Sequence, residues 1–410
     1  MTTRPYDVVV FGATSFVGQI LTRYLFEQFG LDRDLRWAAA GRSAGKLEEL
    51  RKSLGRGGGK LALLQADASD EASLQRLCGN ARVVVSTVGP YALYGEPLVR
   101  VCADTGTDYC DLTGEVQWMR RMITKYESAA RASGARIVHN CGFDSIPSDL
   151  GVHFLQRHAQ DRFGQSCATV KMRVRSMRGG FSGGTVASLL NVLKEVKANP
   201  ALRKELADPY SICPPGGPRV RQANVGFAEY DKDFDAWVAP FIMSAINTRV
   251  VHRSNALARH AYGEDFRYDE AMLTGRGLQG RLAATATAAG LGAFMVAGSI
   301  GPLRAALEKL VLPAPGEGPS PEAQLKGGFD LRFHGRTGDG RTIRTRVAGD
   351  RDPGYGSTAK MLGQAAACLA QDVSRKTLPG GFWTPATAFG DRIIARLQQH
   401  SGVSFDVLDK

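Results

Sequence analysis

Short apolar runs and segments with helical periodicity alternate through the first 145 residues of the chain. Uninterrupted apolar runs of this length are typical of parallel strands that are buried on both faces. Parallel strands need crossover connections, which are usually helices, so the alternation predicts an α/β fold with a doubly wound parallel sheet. The predicted strands cover residues 6–11, 35–40, 61–65, 83–88, 108–112 and 135–139.

The first predicted strand is followed directly by the sequence G-A-T-S-F-V-G at 12–18. A glycine turn that opens a helix presents backbone N–H groups and the helix dipole to a pyrophosphate. Ser15 stands where a further glycine is usual, so its hydroxyl could bond a phosphate while its Cβ narrows the approach. A purely structural turn is the alternative. We expect a dinucleotide to bind here through Gly12, Thr14, Ser15, Phe16, Val17 and Gly18.

The second predicted strand ends in A-G-R-S at 40–43, with no acidic residue to hold the ribose hydroxyls of NAD. Arg42 suits a 2′-phosphate, because its guanidinium can pair with that group through two hydrogen bonds. Ser43 or Lys46 could contribute to the same clamp. We therefore expect the cofactor to be NADP(H), and a solvated arginine at the start of a helix is the alternative.

Two further strand ends point towards the same crevice. Asp67 follows the third predicted strand, where such folds often contact the adenine. The fourth strand runs into a Gly-Pro turn that would bring bare backbone beside the nicotinamide. Asp67 and Thr87 could equally be strand-end caps. The predicted cofactor site therefore also includes Asp67, Thr87, Val88, Gly89 and Pro90.

Five motifs follow one another along the chain: G-A-T-S-F-V-G at 12–18, V-G-P-Y at 88–91, Y-C-D-L-T-G-E at 109–115, G-F-D-S-I-P-S-D at 142–149 and G-Y-G-S-T-A-K-M at 354–361. Together they resemble those of the saccharopine-dehydrogenase-like oxidoreductases, and most of all those of the trans-acting enoyl reductases of bacterial lipid assembly. The resemblance implies an NADP(H)-binding Rossmann domain, a second α/β domain and a C-terminal helix that returns to the first domain. It also implies reduction of a carbon–carbon double bond in an acyl chain that a polyketide synthase builds for glycolipid synthesis.

Beyond the first domain, residues 168–177 alternate between apolar and basic side chains. The segments 329–335 and 341–347 repeat the alternation across a T-G-D-G turn, which predicts a mainly antiparallel sheet in a second α/β domain. Its basic face, which includes Arg173 and Arg332, is interpreted either as a solvated surface or as a docking surface for an acidic acyl carrier or lipid headgroups. We place the Rossmann domain at 1–145, the second domain at 146–350 and the C-terminal return at 351–410.

An uncharged segment of about 20 residues, 282–303, is long enough to span a bilayer. Its high content of alanine, glycine and threonine makes insertion marginal, and Pro302 closes it. Three interpretations remain open: a membrane-dipping or interfacial element, a buried helix or acyl-tunnel wall, and a spanning helix. The Pro- and Gly-rich segment 313–321 is predicted to be a linker or surface loop.

Two further segments carry structural and functional alternatives. The glycine-rich segment 179–185 precedes an apolar helix, so it is either a second anion site or a tight start to that helix. Another helix is predicted to begin at Leu150, with Ser148 or Asp149 as its N-cap.

Charge and cysteine content restrict the function classes. The net charge of +12 favours an anionic partner, but we find no basic stretch interleaved with aromatics, which disfavours nucleic acid.

The seven cysteines form no C-x-x-C pair, which favours a reduced intracellular chain without disulfides or a bound metal. Strand-like sequence begins near Tyr6, so we expect a cytoplasmic protein, at the inner face of the plasma membrane if the apolar segment meets lipid. A homodimer is left open.

Reduction of a double bond needs a proton donor as well as a hydride donor. The candidates near the carboxyl edge of the sheet are Tyr91, Tyr109 and Cys141, which Asp111, Glu115 or Asp144 could orient. Tyr91 is the first choice and Asp144 the second catalytic candidate, although the Tyr91 ring could instead pack beside the nicotinamide. Three functions remain: an NADPH-dependent enoyl reductase, a saccharopine-type amino-acid dehydrogenase, and a non-catalytic NADP-binding protein at the membrane.

Overall fold

The computed structural model describes residues 4–31, 35–179, 183–311 and 318–408. These residues form two seven-stranded sheets that share one continuous hydrophobic core. The α/β fold class expected from the sequence is confirmed: one sheet is parallel, and the other is mixed and mainly antiparallel.

The first sheet is built mostly from the N-terminal part of the chain. The elements of this part are β1 (Tyr6–Phe11), α1 (Phe16–Phe29), β2 (Trp37–Gly41), α2 (Ala44–Ser53), a 3₁₀ turn (Gly58–Lys60), β3 (Ala62–Gln65), α3 (Glu71–Asn80), β4 (Ala81–Ser86), α4 (Tyr91–Tyr94), α5 (Glu96–Thr105), β5 (Asp108–Asp111), α6 (Val116–Ser133) and β6 (Arg136–Val138).

The second sheet and its helices follow. They comprise α7 (Ile146–Phe163), β7 (Cys167–Arg178), α8 (Gly183–Ala198), α9 (Leu202–Ala207), β8 (Glu229–Asp231), β9 (Ala236–Pro240), α10 (Ser244–Leu257), β10 (Arg267–Gly275), α11 (Gly277–Ser299), α12 (Gly301–Val311), α13 (Pro321–Lys326), β11 (Gly328–Thr337) and β12 (Thr342–Gly349).

The C-terminal segment contributes to both sheets. Its elements are α14 (Gly356–Gln371), β13 (Gly381–Trp383), α15 (Pro385–Phe389), α16 (Asp391–His400) and β14 (Val403–Val407). The strand orders are β13-β6-β5-β4-β1-β2-β3 in the first sheet and β14-β12-β11-β7-β10-β9-β8 in the second. The expected helix does return to the first domain, because α14 packs beside α1 over β1, β4 and β5. The return is not purely helical, since β13 extends the first sheet and β14 extends the second.

Local sequence chemistry explains where several of these elements begin. Ser15, Ser43 and Asp70 each accept a hydrogen bond from a backbone N–H of the first turn of α1, α2 and α3. The helix predicted to begin at Leu150 begins four residues earlier, at Ile146, with proline in its first turn. Ser148 and Asp149 therefore lie inside the first turn of α7 and do not cap it.

The strand predicted to be antiparallel at 168–177 is central and mixed. It is β7, which pairs antiparallel with β11 and parallel with β10. The predicted hairpin is present as β11 and β12, and Phe329, Leu331 and Phe333 face the core as expected. Side-chain alternation identified the buried face but could not report the direction of a neighbouring strand.

The basic row on the other face of the second sheet is paired with acidic side chains. Arg173 is buried and bonded to Asp231 and Asp269, and Lys171 is bonded to Asp231 and Asp233. On the neighbouring strands Arg332 and Arg346 share Asp330, and Arg336 reaches Asp233. The polar face is therefore an ion-pair network more than a free cationic surface.

Segment 282–303 forms most of α11 and the start of α12. Pro302 does not close the apolar helix: α11 ends at Ser299, and Pro302 lies in the first turn of α12, where its missing N–H costs nothing. Among the described residues, one helix is long and apolar enough to cross a membrane, Gly277–Ser299, and only 17% of its most apolar window is buried. Part of the predicted loop at 313–321 lies outside the described residues, and its last residue begins α13.

Candidate active site

The loop between β1 and α1 turns at Gly12, whose φ of 85° lies in the left-handed region. A Cβ at this position would lie 2.7 Å from Thr87 Oγ1 and 2.7 Å from Val88 Cγ2, so only glycine fits. A Cβ at Gly18 would lie 2.1 Å from the Gly12 carbonyl oxygen. Gly12 thus permits the turn, and Gly18 permits close packing of α1 on β1. The backbone of the loop is left open towards the cleft.

Ser15 uses its hydroxyl to hold this loop together. Its Oγ accepts a hydrogen bond from the Gly18 N–H at 3.0 Å and lies 2.9 Å from Thr87 Oγ1. Thr87 in turn donates to the Gly12 carbonyl oxygen at 2.9 Å. The hydroxyl therefore caps α1 and fastens the loop to the end of β4, while Ser15 itself lines the cleft.

A cationic group borders one end of the cleft. Arg42 and Lys46 are both exposed and both line it. Ser43 lies behind them and accepts the Lys46 backbone N–H at 3.3 Å, so it caps α2. Asp67 also lines the cleft. Hydrogen bonds from Ser69 lower the pKa of its carboxyl, and the charge of Arg42 makes a smaller contribution in the same direction. Two cations at the end of β2 suit a bound phosphate.

The end of β4 forms the floor of the cleft. Thr87, Val88, Gly89 and Pro90 line it, and the Gly89–Pro90 peptide bond is cis. The hydroxyl of Tyr91 is buried and donates to the Ser86 carbonyl oxygen at 2.9 Å. It also accepts the Leu112 N–H at 3.1 Å. Burial raises the pKa of Tyr91 well above its usual value, so the structure favours a supporting role for Tyr91 over proton donation.

Glu115 supports the same turn from below. Its carboxylate accepts hydrogen bonds from the backbone N–H groups of Tyr91 and Ala92, at 2.7 and 3.1 Å. It also accepts one from the Ser188 hydroxyl of α8, at 2.9 Å. Burial raises the pKa of Glu115, although these three donors favour its ionised form. Glu115 thereby joins the floor of the cleft to a helix of the second domain.

Asp144 follows β6 at the carboxyl edge of the first sheet and lines the cleft. Its environment differs from that of Asp67. Burial raises the pKa of Asp144 to about 7, and the nearby charge of Asp111 contributes to this increase. The carboxyl is therefore mostly protonated below neutral pH. Such a group can donate a proton to a bound molecule.

The cleft has a volume of about 1110 Å³. Ordinary small-ligand pockets measure roughly 300–1,000 Å³. One end is formed by the glycine loop with Arg42 and Lys46, and the other by apolar side chains of β7, α8, α9, α11 and α10 with the segment that leads into it. The apolar end is lined by Met177, Ala187, Leu189, Val192, Leu206, Ile242, Met243, Ile246 and Met295.

The C-terminal segment covers the glycine loop. The Tyr355 ring packs edge-on against Phe16, with centroids 4.8 Å apart, and the Tyr355 hydroxyl accepts the N–H of Gly183 at 2.8 Å. Asp352 holds this turn by accepting the N–H groups of Tyr355 and Gly356. Thr358 lines the cleft and accepts the Phe143 N–H at 2.9 Å. The individual roles of Tyr355 and Thr358 could not be predicted from the sequence, because motif 354–361 lies far along the chain from the glycine loop.

Most of the residues that the sequence proposed for the site meet along this one cleft. Gly18 and Ser43 do not line it, and they act on helix packing and capping. Of the glycine-rich segment 179–185, residues 180–182 lie outside the described structure, and the start of α8 lines the cleft. Within the described residues, no group of three or more His, Cys, Asp or Glu side chains could hold a metal ion. The residues brought together are Gly12, Thr14, Ser15, Phe16, Val17, Arg42, Asp67, Thr87, Val88, Gly89, Pro90, Tyr91 and Asp144.

Comparison with known families supports the cofactor class. Residues 8–138 match the family described as the saccharopine dehydrogenase NADP binding domain. Its span runs from β1 to β6 and includes the glycine loop, Arg42 and Lys46, and the Gly-Pro turn.

Comparison with whole proteins covers nearly the entire chain. A Mycobacterium tuberculosis protein provisionally named a trans-acting enoyl reductase is 41% identical over 98% of this chain and 97% of its own length. The trans-acting enoyl reductase of Mycobacterium ulcerans is 38% identical over 97% of this chain and 96% of its own length.

Solved structures share the fold at low sequence identity. The apo saccharopine dehydrogenase (L-Glu forming) of Saccharomyces cerevisiae superposes with a TM-score of 0.54 and 12% identity, over 98% of this chain and all of that one. The homospermidine synthase of Legionella pneumophila gives a TM-score of 0.54 and 10% identity, over 99% of this chain and 92% of that one.

Proposed function

The chain belongs to the saccharopine-dehydrogenase-like family, together with the mycobacterial trans-acting enoyl reductases, and from that premise we propose that it is an NADPH-dependent enoyl reductase. Its substrate would be an unsaturated acyl chain, carried as a thioester by a polyketide synthase and used in lipid or glycolipid synthesis. The amino-acid dehydrogenase and the non-catalytic protein are the competing functions.

One observation carries the proposal: a single cleft joins a dinucleotide loop to an apolar chamber, with Asp144 lining it. An acyl chain is apolar along its length and has its reactive double bond at one end. The chamber offers Leu189, Val192 and Ile246 to such a chain. A dicarboxylic amino acid would instead need cations in that part of the cleft, and the cations that line it, Arg42 and Lys46, lie at the dinucleotide end.

The residues at the dinucleotide end fit NADPH. Gly12 permits a turn so close to Thr87 and Val88 that a Cβ would not fit, and this turn leads into the N-terminus of α1, whose first backbone N–H groups suit a pyrophosphate. Arg42 and Lys46 would hold the 2′-phosphate, while the turn at Gly89 and Pro90 would support the nicotinamide. When bound, the reduced cofactor supplies a hydride.

The protein supplies the rest of the chemistry. Reduction of the double bond adds a hydride to one carbon and a proton to the other, and the protonated carboxyl of Asp144 would deliver that proton. Glu115 and Tyr91 hold the floor of the cleft through hydrogen bonds to its backbone, and a bound substrate would be positioned against that floor.

The test follows NADPH oxidation with a long-chain trans-2-enoyl thioester, with the saturated thioester as control, and follows NADP+ reduction with saccharopine to test the competing dehydrogenase. A donor with a pKa of about 7 must be protonated, so kcat/KM should fall about tenfold per pH unit above pH 7. Asp144→Asn should lower kcat/KM by roughly 10²- to 10⁴-fold and abolish that alkaline decline.

Asp104→Asn, which changes an exposed carboxylate on α5, serves as the matched control and should behave as the wild type. Failure of the wild type to oxidise NADPH with the enoyl thioester would refute the proposed function. Full activity and an unchanged pH profile in Asp144→Asn would refute the role of Asp144.

A further inference from the structure

We propose that α11 and α12 form a bilayer-docking hairpin, which lies in the surface of an anionic phospholipid membrane and holds the open side of the cleft against the lipid. The docking itself is independent of the reaction catalysed. Delivery of a lipid-linked acyl chain from the membrane into the cleft rests on the proposed function.

The hairpin displays large apolar side chains to solvent. Soluble proteins seldom leave a large contiguous apolar surface uncovered unless it meets a partner or a membrane. No acidic residue and one basic residue, Arg281, occur within Gly277–Ser299. The exposed side chains are Leu278 at 71%, Leu282 at 61%, Val296 at 60%, Ile300 at 44% and Leu303 at 49%.

The position of α11 favours lying in the membrane surface over crossing the membrane. A stripe of small residues, Gly280, Ala284 and Ala288, is buried where α11 packs on β9 and β10. By its length and composition, the helix could cross a membrane. Crossing would require it to leave the sheet, whereas docking leaves the stripe in place and buries only the exposed sides.

The exposed sides extend around most of the helix, since buried positions recur only at the stripe and at Gly298. A second copy of the chain would cover one side of such a helix and leave the others in water. Lipid surrounds every side that the protein leaves free. This geometry favours a bilayer over a second copy as the occupant.

The start of α11 lies beside side chains of β8 and β9 that favour a membrane interface. The guanidinium of Arg281 lies 5.4 Å from the ring centre of Trp237, and the Tyr230 ring packs edge-on against Trp237 at 5.8 Å. Arg276, which is 75% exposed at its side chain, pairs with Asp235 nearby. Aromatic rings beside basic residues are typical of the lipid headgroup region.

The charge of the hairpin selects an anionic membrane. Residues 277–311 contain two arginines and one lysine against a single glutamate, which leaves two net positive charges. Basic residues beside an apolar surface are attracted to anionic headgroups.

The hairpin is also a wall of the cleft. Met295 of α11 lines the apolar chamber together with Leu189 and Val192 of α8. A Cβ at Gly298 would lie 2.6 Å from Leu193 Cδ1, so α11 and α8 pack tightly here. A membrane that covers the exposed sides of α11 therefore comes next to the chamber, and an acyl chain could pass between them without crossing water.

The experiment floats the purified full-length chain on a density gradient with phosphatidylcholine vesicles, with and without phosphatidylglycerol. We expect the wild type to float with the vesicles that contain phosphatidylglycerol. The triple variant Leu282→Glu, Val296→Glu, Leu303→Glu should partition at least about tenfold less, because three apolar side chains lose their burial in lipid. Arg281→Gln should reduce the preference for phosphatidylglycerol.

The double variant Leu325→Glu, Leu408→Glu is the matched control, since both leucines are exposed outside the hairpin. It should float as the wild type does. NADPH oxidation with a soluble short-chain enoyl thioester should be the same in all these variants, because none of the changed residues lines the cleft.

Three results would overturn the docking proposal: no flotation of the wild type, equal flotation of the triple variant, or a triple variant whose only change is a smaller oligomer on size exclusion. The last result would assign the surface to a second copy. Flotation without NADPH oxidation would instead refute the proposed function and leave the docking hairpin in place.

Discussion

Arg42 is the residue whose replacement should change cofactor choice. A 2′-phosphate held by an arginine and a lysine gains charge-assisted hydrogen bonds worth roughly 1–3 kcal/mol, or about 5- to 150-fold in affinity. We expect NADPH to bind more tightly than NADH by that factor, and Arg42→Ala to remove the difference. Fluorescence titration of the wild type and the variant with both cofactors measures the two affinities. Arg56→Ala, an exposed arginine outside the cleft, should retain the preference; equal affinities in the wild type would contradict the assignment.

Gly12 is the residue on which the loop geometry depends. Gly12→Ala would place a methyl group 2.7 Å from Thr87 Oγ1 and strain a φ of 85°. We expect NADPH affinity to fall by at least about tenfold, because the glycine loop must shift away from the end of β4. The matched change Gly59→Ala meets no atom within 4 Å and should leave binding intact. Unchanged NADPH binding in Gly12→Ala, measured by calorimetry, would show that the loop does not contact the cofactor.

The roles of glycine and arginine in the site could be predicted from the sequence better than the roles of the hydroxyl residues. Gly12 and Arg42 follow from the turn and the charge that such a site needs, and the structure places both on the cleft. For the hydroxyls of Ser15 and Tyr91 a bond to a ligand was one of two alternatives; both residues line the cleft, and their hydroxyls bond to Thr87 and Ser86. A hydroxyl bonds whatever polar group lies nearest, and that group comes from a distant part of the sequence.

At the scale of elements, Asp149 joins the first turn of α7 to α10 and α15. It accepts hydrogen bonds from the Ser254 hydroxyl and the Ala386 N–H. Burial raises the pKa of Asp149 from 3.8 to about 7. The folded chain therefore holds this proton more strongly than the unfolded chain does. The stability that the proton contributes is complete below pH 4 and is lost as the pH rises to about 7.

Asp149→Asn cannot ionise, so its free energy of unfolding should rise relative to that of the wild type between pH 4 and pH 7. No further change is expected above that range. Urea unfolding at a series of pH values measures the difference, and Asp104→Asn is the control with an exposed carboxylate. A difference that stays constant from pH 4 to pH 7 would contradict the raised pKa.

Elements with a strong hydrophobic pattern were predicted well. Elements that depend on pairing with a distant strand were not. The six N-terminal strands were located within about two residues, since each is a distinct apolar run. The three-residue strand β13 carries no comparable signal, because its strand character comes from pairing with β6. Pro302 was read as the end of a helix, although proline suits the first turn of a helix equally well.

For the whole molecule, the first domain depends on the end of the chain. A fragment of residues 1–145 would lack α14, most of whose residues are buried against β1, β4, β5 and neighbouring helices. We expect this fragment to aggregate or to bind the dye ANS, and the full chain to unfold in one cooperative transition by calorimetry. A soluble monomeric fragment that binds NADPH would contradict this.

The two-sheet architecture could be inferred from the switch between uninterrupted and alternating apolar patterns. The pairing of the basic row with acidic residues could not, because Asp231 and Asp269 lie far along the chain from Arg173. Long-range charge pairing leaves no periodic signal in the sequence.

The late position of α14 has a consequence for biosynthesis. The ribosome completes β6 at Val138, but α14 begins only at Gly356. At about 5–20 residues per second, the nascent sheet waits roughly 10–40 s with one apolar face uncovered. During that interval the emerging chain presents a target for chaperones, and its first domain reaches maturity only after α14 has been synthesised.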